Sequence, residues 1–238
     1  MHFSDTLRKL FSEDRDKGFF VLLDPDRLPR EEIPRLAERI NSEPRVKAVL
    51  AGTSLLLSED FPGFVRALKE HMERPVIIFP GNSTQLAPDA DGILLLSLIS
   101  GRNPEFLIGE HVRAAPHIKR MKLSVVTTAY ILVESGRPTA VEFTSGTKPI
   151  PRDKTDILLA HVMAACLLGF KAIYLEAGSG ASMPVPPEMI RAARSETDLP
   201  LLVGGGIRTP SAAQSAFEAG ADYVVVGTIV EEEGFFGL

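Results

Sequence analysis

Two hydrophobic periodicities alternate along the chain. Eight short runs are almost continuously apolar: FFVLLD (19–24), VKAVLAG (46–52), PVIIFPG (75–81), GILLLSL (92–98), AYILVE (129–134), KAIYLEAG (171–178), PLLVGGG (200–206) and YVVVGT (223–228). A strand with one wet face alternates apolar and polar positions. A parallel strand covered on both faces reads as a continuous run, as these do. Between the runs, apolar positions recur with the period of a helix. Residues 31–41 put Ile33, Leu36, Ala37 and Ile40 on one face, and residues 61–72 do the same with Phe64, Val65, Leu68 and Met72. Residues 103–115 carry Phe106, Leu107, Ile108 and Val112, and residues 155–169 read as a strongly apolar helix. Thr209-Pro210-Ser211 is a cap with proline at the first helical position, opening a helix that stops at Gly220.

Eight strands alternating with helices over 238 residues predict an α/β fold, a modified (β/α)8 barrel forming a single domain over 1–238. Such barrels typically take about 250 residues. An open doubly wound sheet is the second architecture the pattern allows. The connection GNSTQLAPDAD, between the third and fourth strands, is too short and broken for a crossover helix. Helix 3 is therefore expected to be missing or replaced by extended chain. Only EEEGFFGL follows the eighth strand, so the stretch around Leu7, Leu10 and Phe11 is expected to fill the last helix slot. Residues 135–154, rich in Pro, Gly and Thr, read as a long excursion with a short extra strand at 140–143.

Composition narrows the function classes. Apolar residues make up 45% and charged residues 24%, an ordinary globular balance. A net charge of -5 argues against a nucleic-acid partner. The single cysteine, Cys166, excludes an intramolecular disulfide and reads as a small buried hydrophobe. No stretch is long and apolar enough to span a bilayer, and the first residues lack the apolar core of a signal peptide, so a cytoplasmic protein is expected. The five histidines have no metal-ligand spacing, and His161 reads as packed.

In a barrel the site lies at the carboxyl ends of the strands. Those ends carry Asp24 and Asp26, Gly52-Thr53, Glu176 with Gly178-Ser179-Gly180, Gly204-Gly205-Gly206, and Gly227-Thr228. Glycines after the last two strands let backbone N–H groups approach a phosphate, and a helix N-terminus adds favourable partial charge. LLDPDR reads equally as a Mg²⁺ site, with Thr53 adding an oxygen, or as turn chemistry. Glu176 follows an apolar strand directly, where a carboxylate needs a task or a partner; it reads as a general base or as a structural hydrogen-bond acceptor.

LLDPD, VLAGTS, FPGN, NPEFLIGEH, YLEAGSG, VGGGIR and VVVGT occur in this order. Together they resemble the geranylgeranylglyceryl phosphate synthase family, which includes the bacterial heptaprenylglyceryl phosphate synthases. The resemblance implies a modified barrel lacking the third helix. It implies transfer of a polyprenyl group, with geranylgeranyl diphosphate the expected donor, to the 3-hydroxyl of sn-glycerol 1-phosphate, with release of diphosphate. Mg²⁺ is the implied cofactor, at Asp24 and Thr53. Tyr174, Leu175, Glu176, Ala177, Gly178, Ser179, Gly180, Gly205, Gly206, Gly227 and Thr228 are the implied glycerol phosphate positions, with Glu176 and Tyr174 catalytic. The helix over 103–115 would line the groove for the apolar tail, with small Ala114 leaving room for a long chain. Shorter relatives carry a lysine two positions before the first Asp; here Leu22 stands there, leaving Arg27 or Arg208 to compensate. The family also implies a homo-oligomer; the apolar Phe235 and Phe236 are candidate interface residues, and a lipid substrate and product would bring transient contact with a membrane surface.

Two other functions share parts of this pattern. A phosphosugar isomerase barrel would use the same phosphate site with an acid–base pair, Asp24 and Glu134. A non-catalytic phosphate- or lipid-binding barrel would bind without turnover.

Overall fold

The computed structural model describes residues 5–227. Eight parallel strands close into a barrel in chain order: β1 (Gly18–Leu23), β2 (Val46–Ala51), β3 (Val76–Ile78), β4 (Gly92–Leu98), β5 (Ser124–Leu132), β6 (Ala172–Glu176), β7 (Leu201–Gly204) and β8 (Tyr223–Val226). β1 pairs with β8, setting Phe20 opposite Val225, so the sheet has no free edge and the open doubly wound alternative is excluded. One parity of each strand points inward, placing Phe20, Leu50, Ile77, Leu94, Tyr174 and Tyr223 in one interior cluster. The other parity packs beneath the helices, with Val21, Val49, Ile78 and Ile173 in an outer cluster. Burial on both faces is the physical origin of the continuous apolar runs.

The outer layer holds α2 (Ile33–Ser42), α3 (Phe61–His71), α4 (Glu110–Met121), α6 (Thr155–Leu167), α7 (Pro187–Glu196) and α8 (Pro210–Glu218). Ile33, Leu36, Ala37 and Ile40 are the buried face of α2, as their spacing demands. At α8, the Thr209 hydroxyl accepts from the Ala212 N–H at 3.2 Å and Pro210 takes the first turn. No helix joins β3 to β4. Gln85, fully buried in that connection, does part of the missing helix's job: its amide donates to the Thr53 carbonyl at 2.8 Å and accepts from the Thr53 N–H at 3.1 Å. Among the described residues, no helix is long and apolar enough to cross a membrane.

Four local expectations are corrected. The N-terminal helix α1 (Asp5–Leu10) does not take the outer slot beside β8. Its Leu7 is fully buried within the interior cluster, Phe11 packs against the rings of Phe20 and Tyr223, and the Tyr223 hydroxyl donates to the Leu10 carbonyl at 2.6 Å. α1 therefore plugs the amino end of the barrel. Residues 140–143 are not a strand but the start of α5 (Ala140–Ser145), capped by Thr139 and ended by Gly146 in the left-handed region. Along residues 103–115 a π-helical turn, Glu105–Gly109, precedes α4 and rotates the stripe, so Ala114 and Ile118 are buried while Ile108 and Val112 face solvent. Cys166 is exposed, because α6 is apolar all round and only Leu158, Val162 and Ala165 face inward. Thr228, Phe235 and Phe236 lie outside the described residues.

Candidate active site

The carboxyl end of the barrel opens into a cavity of about 850 Å³. Asp24, Thr53, Tyr174, Glu176, Gly178, Ser179, Gly180, Gly205, Gly206 and Gly227 all line it. Leu175 and Ala177 do not: strand alternation turns their side chains outward into the layer beneath the helices.

On one side of the cavity, the two residues implied as metal ligands are joined. The Thr53 hydroxyl donates to Asp24 Oδ2 at 3.0 Å, while Asp24 Oδ1 accepts from the Asp26 N–H at 2.9 Å. Asp26 has a different task. Its carboxylate accepts from the Leu57 N–H at 2.9 Å and the Ser58 N–H at 2.6 Å, tying down the loop after β2. The LLDPDR segment thus combines turn chemistry at Asp26 with a cavity-facing carboxylate at Asp24. One carboxylate with a neighbouring hydroxyl suits a hard ion that completes its shell with water and substrate phosphates. Among the described residues there is no cluster of three or more His, Cys, Asp or Glu side chains able to hold a metal by themselves.

Opposite lies Glu176, the last residue of β6, 5% exposed. Its Oε1 accepts from the Gly178 N–H at 2.6 Å, and the buried Tyr174 phenol hydrogen-bonds to the same carboxylate. Burial raises the Glu176 pKa to about 7; the bonds from Tyr174 and Gly178 pull the other way and do not win. Burial, and then the Glu176 charge, hold the Tyr174 phenol well above its ordinary range. Glycines make this arrangement possible. A Cβ at Gly204 would stand 2.1 Å from the Tyr174 hydroxyl, and one at Gly205, where φ is +79°, would stand 2.3 Å from Glu176 Oε1.

An aromatic box forms the floor. Tyr130 and Tyr174 meet edge to face with ring centroids 5.3 Å apart, and Phe79 packs edge-on to Tyr174 at 5.4 Å. Sequence reasoning missed Tyr130, Phe79 and Gln85. Strand parity carried the signal for Tyr130, since it pairs with Tyr174 across β5 and β6 and so points inward with it.

The cations behave differently from one another. Arg208 lines the cavity and donates to the Ala181 carbonyl at 3.0 Å; Arg27 lies beside Asp24 at 3.8 Å. Arg137, beyond β5, donates through Nε to the Gly180 carbonyl at 2.7 Å. Among the described residues no lysine lines the cavity, and Leu22 occupies its wall. Glu134 is exposed and does not line the cavity, so the structure does not bring together the pair Asp24 and Glu134.

Comparisons with known proteins match this geometry. The model of the PcrB family matches residues 11–236. A geranylgeranylglyceryl phosphate synthase of Flavobacterium johnsoniae is 45% identical over 216 residues, 91% of this chain and 88% of that protein. Its namesake in Thermococcus gammatolerans is 43% identical over 221 residues, 92% of this chain and 86% of that protein. The crystal structure of (S)-3-O-geranylgeranylglyceryl phosphate synthase from Thermoplasma acidophilum, in complex with sn-glycerol-1-phosphate, superposes with a TM-score of 0.90 at 33% identity, covering 99% of this chain and 94% of that one. The chain belongs to the PcrB family, among relatives that carry the name geranylgeranylglyceryl phosphate synthase.

Proposed function

We propose that the protein is a prenyltransferase that forms an ether bond between the 3-hydroxyl of sn-glycerol 1-phosphate and a polyprenyl diphosphate, with geranylgeranyl diphosphate the preferred donor. The observation that carries this reading is a buried carboxylate with a pKa near neutrality, flanked by glycine loops on one side and by the Asp24–Thr53 pair on the other, in a cavity with one apolar flank.

The chemistry follows from the residues. Backbone N–H groups around Gly178, Ser179, Gly180, Gly205, Gly206, Gly227 and Thr228 bind the phosphate of the acceptor. With the phosphate fixed, one hydroxyl reaches the donor's C1. Glu176, ionised increasingly as pH rises through about 7, accepts the proton of the 3-hydroxyl as its oxygen bonds to C1 and the bond from C1 to the diphosphate oxygen breaks. Tyr174 holds that carboxylate in place, and the faces of Tyr130 and Tyr174 stabilise positive charge developing at C1. Asp24 and Thr53 would hold Mg²⁺, whose charge offsets that of the leaving diphosphate. Phe106, Leu86, Leu95 and Ala114 line the flank that takes the isoprenoid tail.

A homo-oligomer is part of the same proposal. Ile157, Met163, Leu167 and Leu168 of α6 are all exposed, an apolar face of the kind that marks interaction sites. Sedimentation velocity should find more than one copy per particle.

The test is a two-phase assay. Labelled sn-glycerol 1-phosphate is incubated with geranylgeranyl, farnesyl or heptaprenyl diphosphate, with Mg²⁺ or with excess chelator. Label entering the organic phase only with Mg²⁺, most with the geranylgeranyl donor, is the expected result. Folded protein that moves no label with any donor would sink the proposal.

A further inference from the structure

Thr53 stands two residues past the end of β2, beyond the last paired residues, Ala51 and Ile78. A backbone N–H and carbonyl that have left the ladder need other partners. One side chain supplies both. The Gln85 amide nitrogen donates to the Thr53 carbonyl at 2.8 Å, and the amide oxygen accepts from the Thr53 N–H at 3.1 Å. Gln85 is fully buried, so water does not compete for either bond. The pairing is directional: a reversed amide would set nitrogen against N–H and oxygen against carbonyl.

The neighbouring sequence is built for this contact. A Cβ at Gly81 would stand 2.3 Å from the Thr53 carbonyl, and one at Gly52 would stand 1.8 Å from the Phe79 carbonyl. Only glycine lets the chain leaving β3 pass this close to the end of β2. Beyond Gly81, the Asn82 side-chain oxygen accepts from the Thr84 N–H at 2.9 Å, and the Asn82 carbonyl accepts from the Gln85 N–H at 3.3 Å. That turn aims Gln85 back at Thr53. Leu86 and Ala87, buried directly after it, anchor the far side. The helix-free connection after β3 is therefore part of the site. It holds the Thr53 peptide from two sides, and Thr53 in turn donates its hydroxyl to Asp24 Oδ2 at 3.0 Å.

We infer that Gln85 is a positioning residue for the diphosphate end of the cavity. Acting through the Thr53 peptide, it sets the Thr53 hydroxyl and the Asp24 carboxylate for a divalent cation carried with the donor's diphosphate. The identity of that anion rests on the proposed prenyl transfer. The acceptor end, on the opposite side at Glu176, does not depend on Gln85.

Mg²⁺ with inorganic diphosphate is the probe, because it carries the charge of the donor without the tail. Gln85→Met removes both bonds and keeps the length of the side chain. In titration calorimetry it should bind Mg²⁺–diphosphate about tenfold more weakly than the native chain. Binding of sn-glycerol 1-phosphate without metal should stay within about twofold. In turnover, KM for geranylgeranyl diphosphate should rise while KM for sn-glycerol 1-phosphate holds. A double-mutant cycle separates positioning from mere support of the fold. With the hydroxyl already removed in Thr53→Ala, adding Gln85→Met should cost less than about twofold in Mg²⁺–diphosphate affinity. Gln85→Asn, which keeps the amide but is one methylene short of spanning both groups, replaces Gln85→Met in the cycle if that variant does not fold. Equal weakening towards both ligands, or the same loss with and without the Thr53 hydroxyl, overturns the inference. So does native affinity for Mg²⁺–diphosphate in Gln85→Met. A native chain that binds Mg²⁺–diphosphate but makes no ether lipid counts against the proposed function, while the cycle still decides Gln85. A native chain that does not bind Mg²⁺–diphosphate overturns the role of Gln85 together with the metal assignment.

Discussion

Exchanging Glu176 for glutamine removes the proposed base and keeps its shape. The amide oxygen still accepts from the Gly178 N–H, so the loop after β6 stays in place. Burial lifts the carboxyl pKa from 4.5 to about 7, which amounts to about 3 kcal/mol against the ionised form. Two results follow. The base works only when ionised, so native kcat/KM should rise along an acid limb centred near pH 7. Glu176→Gln should lose that limb and about a hundred- to ten-thousand-fold in rate. The second result concerns stability. A raised folded-state pKa means that the folded protein binds the proton more tightly than the unfolded chain. The stability this gives is present in full below about pH 4.5 and is lost as pH rises through about 7. Glutamine has no such dependence, so urea denaturation should show the variant gaining on the native chain by about 3 kcal/mol between pH 4 and 8. A variant that keeps more than about a tenth of native activity, or keeps the acid limb, refutes the reasoning.

Other consequences are open to simple assays. Asp24→Ala should lower turnover about a hundredfold and move the midpoint of a Mg²⁺ titration upward; an unmoved midpoint would remove Asp24 from the metal site. Ala114, buried in the cavity wall on α4, leaves the space a long tail needs. Ala114→Phe should shift preference from geranylgeranyl towards farnesyl diphosphate by about tenfold, and an unchanged ratio would place the tail elsewhere. Leu7→Ala should cost about 2–5 kcal/mol by emptying the amino end of the barrel, while kcat per folded molecule stays native; a neutral variant would mean that α1 is not a plug.

Much of the architecture was legible because parallel strands buried on both faces write themselves as continuous apolar runs. The missing third helix was legible too, since Pro, Gly and Asp leave GNSTQLAPDAD no helical stripe. What periodicity cannot carry is which surface an element meets. Leu7 sits on an ordinary amphipathic turn, and nothing local distinguishes the outside of a barrel from its open end. α6 is apolar on every side, so its pattern gives no facing, and Cys166 turned out exposed. Residues 140–143 are too few to show either period, and the deciding signals were the Thr139 cap and Gly146 at the far end. At the site, residues at strand ends were found by position alone. Tyr130 and Phe79 lie within strands or just past short ones, and only the register of the closed sheet brings them to Tyr174.

The central claim is that the acceptor's 3-hydroxyl oxygen attacks C1 of the prenyl chain. sn-Glycerol 1-phosphate carrying ¹⁸O at that hydroxyl tests it most directly, with both products read by mass spectrometry. The account predicts a prenyl ether lipid that retains the heavy oxygen and a diphosphate that carries none. Heavy oxygen in the diphosphate, or no ether lipid from folded protein with Mg²⁺ and both substrates present, would contradict it.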